Sequence, residues 1–108
     1  MIIYNWNKEK NLLLKETRGI SFEQIVMHIE KGDLIDIIKH PNSEKYANQK
    51  ILVININEYI YTIPFVENNN EWFLKTIMPN RQFTKKYLGG KKWNNIHWIM
   101  KNESYFNH

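Results

Sequence analysis

Residues 50–67 read KILVININEYIYTIPFVE. Two runs rich in β-branched and aromatic residues are separated only by Asn57–Glu58. Such side chains suit a pleated, half-buried surface. A connection this short makes the two runs pair antiparallel, as a hairpin. Pro64 has no N–H to give to a ladder, so its place is predicted at an edge or a bulge.

Further strand-like stretches flank the hairpin. DLIDIIKH (33–40) reads as a strand that ends at Pro41, and the polar HPNSEKYANQ (40–49) reads as a turn or loop. ENNNE (67–71) is a turn signal, and EWFLKTIM (71–78) alternates between its faces until Pro79 stops it.

The period changes before residue 33. In SFEQIVMHIEKG (21–32), Ser21 and Gln24 have capping-box spacing, and Phe22, Ile25, Val26 and Ile29 share one helical face. Gly32 closes this helix, and His28 falls on the flank of the apolar stripe. Upstream, NWNKEKNLLLKETRG (5–19) reads as a helix capped by Asn5 or Asn7, with Leu12, Leu13 and Leu14 as its apolar patch and Gly19 as its stop. A short helix is predicted after Pro79, ending at Gly89–Gly90. In the final stretch Trp93, Ile96 and Met100 have helical spacing, which fits a docked helix or a tail that orders on a partner. The expectation is an α+β domain over residues 1–90, with 91–108 as a tail or docked helix. Two N-terminal helices pack on a small antiparallel sheet of about four strands, the helices cover one face, and a short C-terminal helix follows.

Several chemistries lack their residues. The chain has no cysteine, which removes disulfides, thiolate zinc sites and a thiol nucleophile. His28, His40, His97 and His108 share no metal-ligand spacing, and no phosphate-cradling glycine motif or nucleophile elbow is present. No metal or cofactor is expected. Asp33 and Asp36, three apart in a strand, point to opposite faces. The opening MIIYNWNKEK has no secretory pattern, and the longest nearly apolar run, YIYTIPFV, is far below the ~20 residues that span a bilayer. A soluble, cytoplasmic protein with no membrane partner is expected.

Charge is unevenly placed. Residues 1–71 carry eight Lys/Arg and ten Asp/Glu (8 − 10 = −2), whereas residues 72–108 carry seven and one (7 − 1 = +6). The basic part includes MPNRQFTKKYLGGKK (78–92). Arg81 and Lys85 are four apart and share a helical face, Lys86 and Tyr87 adjoin them, and Lys75 lies on the preceding strand. Arginine grips phosphate bidentately, lysine acts as a point charge, and aromatic rings stack on unpaired bases. Trp72, Trp93 and Trp98 are near enough in sequence to join such a face. The competing reading is a solvated basic end with the aromatics in the core.

The opening NWNKEKNLLLKETRGISFEQIVMHI, through Trp6, Asn7, Lys10, Gly19, Ile20, Ser21, Phe22 and Glu23, resembles the start of the BrnT-like toxins. The middle matches a BrnT-like subgroup in its His-Pro-Asn, Asn-Gln-Lys and Ile-Pro-Phe-Val motifs. The end matches in FLKTI, then Pro-x-Arg, then Thr-Lys-Lys-Tyr. The likeness covers roughly residues 5–89. The chain departs from the family at Gln82, where a further basic residue is common, and at Thr17-Arg18-Gly19, where a Lys-His-Gly is usual.

The resemblance implies a RelE-like fold, and the toxin half of a bacterial type II toxin–antitoxin pair. It implies a ribonuclease that arrests translation, and a cognate antitoxin with a DNA-binding segment. A dimer and a heterotetramer with the antitoxin are both open. A metal-independent ribonuclease must take a proton from the 2′-OH, stabilise the phosphorane and protonate the leaving oxygen. Arg81 is the candidate for phosphate stabilisation, with Lys75, Lys85 and Lys86 as RNA-binding support. His40 is the candidate acid or base, and Tyr87 the candidate acid or stacking platform. The alternative is a non-catalytic module whose basic face holds nucleic acid or an antitoxin.

Overall fold

A computed structural model of the chain describes residues 1–42 and 44–92, the last three by backbone alone. The order is β1 (Ile3–Trp6), α1 (Lys8–Arg18), α2 (Phe22–Lys31), β2 (Leu34–Lys39), β3 (Gln49–Ile56), β4 (Tyr59–Asn68), β5 (Glu71–Leu74), β6 (Met78–Pro79) and α3 (Arg81–Lys92). One sheet runs β1-β5-β4-β3-β2, with β6 also on β4.

The β3–β4 hairpin forms its centre, paired from Gln49↔Val66 to Ile56↔Tyr59. Asn57 and Glu58 both adopt positive φ, 52° and 66°, the geometry that matches a two-residue turn to the twist of its strands. Pro64 sits within central β4. Its carbonyl accepts from Lys75 N at 2.8 Å, so its missing N–H faces the same side, towards residues 75–77, where β5 has ended and β6 has not begun. Between Phe65↔Leu74 and Thr62↔Met78 the β5–β6 side carries one extra residue, so the proline lies opposite a bulge.

Local signals set both N-terminal helices. Asn7 caps α1 by accepting from Lys10 N, and Gly19 ends it at φ 69°. Ser21 and Gln24 complete a capping box on α2, and Gly32 ends it at φ 98°, a left-handed conformation that favours glycine. Asn11 joins the two: its Oδ1 accepts from Phe22 N and its Nδ2 donates to Glu23 Oε1, both at 2.8 Å. Leu14, Phe22 and Ile25 then close one face of the sheet over Leu52, Ile63, Phe65 and Leu74. Trp6 stacks on Phe22 at 5.6 Å.

The opposite face has its own smaller core, where Leu88 packs on Val53 and Ile60, flanked by Ile38, Phe83 and Tyr87. The helices therefore cover both faces, not one. The class is α+β as expected, but the sheet has six strands and is mixed, because β1 pairs parallel with β5. A strand, not a helix, comes first. The predicted single strand over 71–78 is broken at 75–77 by the bulge, and α3 runs through Gly89–Gly90 to Lys92 instead of stopping there. Of the three leucines expected to pack, Leu14 is buried while Leu12 and Leu13 face solvent. The helical spacing of Trp93, Ile96 and Met100, and most of the predicted tail, lie outside the described residues.

Candidate nucleic-acid interface

The start of α3 is fixed to the sheet by two residues that the sequence did not single out. Asn80 N donates to Ile60 O at 2.9 Å, and Asn80 Oδ1 caps the helix by accepting from Phe83 N at 2.8 Å. Thr84 Oγ1 donates to Asn80 O at 2.8 Å and accepts from Ile60 N at 2.9 Å. An Asn three residues before an aromatic and four before a Thr was the available signal, since Asn caps helices and Thr bonds back to the preceding turn.

With Phe83, Thr84, Tyr87 and Leu88 turned towards the sheet, the outer surface carries the cations. Arg81 and Lys85 are exposed and one turn apart, and neither has an ion-pair partner among the described residues. Arg81 is the first residue of α3, and the first turn holds no acid. A cation there adds to the positive end of the helix dipole instead of offsetting it. Lys86 Nζ lies over the rings of Phe83 and Tyr87, 5.7 and 5.5 Å from their centroids, which fixes its stem while its charge stays outward.

Tyr87 holds α3 to β2. Its ring meets Phe83 edge-on at 5.8 Å, and its hydroxyl donates to Asp36 Oδ2 at 3.1 Å. Burial, and then the Asp36 carboxylate, raise its pKa above the ordinary tyrosine value. The hydroxyl is thereby a weaker acid near neutrality, and its proton is already committed to Asp36.

His40 follows β2 and belongs to the loop after it. Its Nδ1 accepts from Asn42 N at 3.0 Å, and its ring lies 4.5 Å from that of Tyr46. Ile60, where α3 begins, pairs with Asn55, whereas Lys39 pairs with Lys50. At a strand rise of about 3.3 Å per residue, His40 and the start of α3 are about 20 Å apart along the sheet. That exceeds what one phosphodiester could bridge.

Lys75 falls in a third place. It lines a cavity of about 500 Å³ with Asn7, Glu9, Lys10, Leu13 and Phe73, near the start of α1. The six expected site residues thus separate into an α3 surface (Arg81, Lys85, Lys86, Tyr87), a cavity wall (Lys75) and a loop (His40). Trp72 joins none of them: its ring packs on Phe65 and Tyr4. Trp93 and Trp98 lie outside the described residues. One titratable pair escaped the sequence reading, His28 Nδ1 with Asp33 Oδ2 at 2.8 Å, which clasps the turn after α2. Among the described residues no group of three or more His, Asp or Glu could hold a metal ion.

No protein-family model matches the chain, and comparisons with curated proteins and with solved structures likewise give no match.

Proposed function

We propose that this protein binds RNA through the outer surface of α3, as the toxin of a type II toxin–antitoxin pair that cleaves RNA without a metal. One observation carries the reading: Arg81 at the first position of α3, with Lys85 a turn later, both exposed and without a carboxylate partner among the described residues. Like charges four apart weaken a helix, and so does a cation at its N-terminus. An arrangement that costs helix stability while presenting cations to solvent suits a phosphate backbone. In cleavage, Arg81 stabilises the charge that grows on the phosphorane oxygens, and Lys85 and Lys86 hold the flanking phosphates.

A second reading has its own support. The distance between His40 and α3, and the commitment of the Tyr87 proton to Asp36, leave neither of the two candidate proton carriers free beside Arg81. A module that binds RNA or an acidic antitoxin, and cuts nothing, needs none.

The test is incubation of the purified full chain with labelled RNA in the presence of a chelator. The ribonuclease reading expects cleavage products that disappear with Arg81→Ala. Tight binding with intact RNA selects an RNA-binding module, and no binding by the parent protein rejects both RNA readings. Growth arrest on expression, relieved by a neighbouring gene, tests the toxin assignment separately.

A further inference from the structure

The cavity beside α1 is the second feature suited to a nucleotide. Its walls carry two ammonium groups, Lys10 and Lys75, and the ring of Phe73. Phe73 is 36% exposed on β5, so its ring is open to a ligand. Neither lysine is ion-paired among the described residues, although Glu9 shares the cavity. Glu9 offsets one of the two charges, so the site suits a single phosphate with an apolar planar group beside it. It is an open groove of about 500 Å³, in which a bound nucleotide would keep one side in solvent.

Its place on the sheet connects it with α3. Phe73 pairs with Val66, and by strand alternation Val66 shares a face with Ile60, under α3. Six residues of β4 separate the two, about 20 Å, a span suited to a single strand of roughly four nucleotides or more.

The geometry points to this cavity as a subsite for one nucleotide of a bound RNA strand, with Lys10 and Lys75 on the phosphate and Phe73 stacked on the base. For its ligand this rests on the RNA reading above. The shared chemistry also admits a free nucleotide, which makes a direct probe.

The experiment is a titration of the full chain, labelled for amide NMR, with adenosine 5′-monophosphate, adenosine and inorganic phosphate in parallel. The monophosphate is expected to move signals of residues 7–13 and 73–75 and to leave 81–88 in place. Adenosine or phosphate alone should bind about tenfold more weakly, the loss of one stacked base or one ionic contact. Phe73→Ala and Lys75→Ala should each weaken the binding by about the same tenfold while the rest of the spectrum stays unchanged. Equal shifts with phosphate alone, unaltered binding by Phe73→Ala, or shifts confined to α3 would each overturn the subsite. RNA binding lost in Arg81→Ala but kept in a Phe73→Ala/Lys75→Ala double variant would also overturn it, leaving the α3 reading intact. Monophosphate bound at the cavity by a chain that binds no RNA would overturn both the RNA reading and this subsite's part in it, and leave a free-nucleotide site.

Discussion

The hydroxyl of Tyr87 donates to Asp36 Oδ2 at 3.1 Å, and this bond joins α3 to an edge strand 51 residues earlier. Tyr87→Phe keeps the ring against Phe83 and removes only the bond. An exposed hydrogen bond contributes about 0.5–1 kcal/mol, so denaturant unfolding should show a loss of that size. RNA cleavage, if Tyr87 only positions α3, should survive the change. Cleavage abolished in a folded Tyr87→Phe protein would return the residue to the catalytic set.

The same tyrosine predicts an alkaline effect. Tyr87 and Tyr4 are both raised above 10.0, chiefly by burial, with Asp36 and Glu30 as the respective second causes. A proton held more tightly in the folded state stabilises it below the ordinary tyrosine value. That contribution is lost as the pH rises through the raised value. Stability should therefore fall above pH ~10, and Tyr87→Phe should flatten the fall. Melting curves across that range, for parent and variant, measure it.

Arg81→Glu separates stability from binding. It places an acid at the positive end of α3 and creates a favourable pair with Lys85 four residues on. Together these should stabilise the fold by about 0.5–1 kcal/mol. RNA affinity should drop, and the salt dependence should shallow by roughly one phosphate contact. A variant that gains stability and still binds RNA as well as the parent would dismiss α3 as the interface.

Asn11→Ala tests the joint between α1 and α2. It removes the buried acceptor of Phe22 N and leaves that donor unpaired. The expected loss is about 1–3 kcal/mol. Phe22→Ala, at a fully buried ring stacked on Trp6, should cost about 3–5 kcal/mol. Chemical denaturation of both variants checks the ranking.

The helices and the hairpin were legible in the sequence because their signals are local. Ser21 with Gln24, Gly19, Gly32 and Asn57–Glu58 each specify a conformation within a few residues. What the sequence hid depends on distant partners. The β1 strand has only four residues and pairs with β5, so no nearby pattern marks it. The side of the sheet taken by α3 follows from Thr84 and Leu88 meeting Ile60, a contact that no helical period encodes. Gly89–Gly90 read as a stop, but the helix continues through them, since glycine weakens a helix without forbidding it. The basic composition of 78–92 was visible, while the scatter of Lys75, His40 and Arg81 over three places emerged only with the strand register.

The parallel pairing of β1 with β5 also governs when the molecule can form during synthesis. Asn5 bonds Glu71, 66 residues further on, so the first strand has no partner until most of the chain has left the ribosome. Contacts of such sequence separation carry a large loop-closure cost and form late. The α3 surface follows β5 in the chain, so its cations are made only after every strand that supports them. A truncated product ending before residue 71 would lack both the partner of β1 and the α3 surface itself.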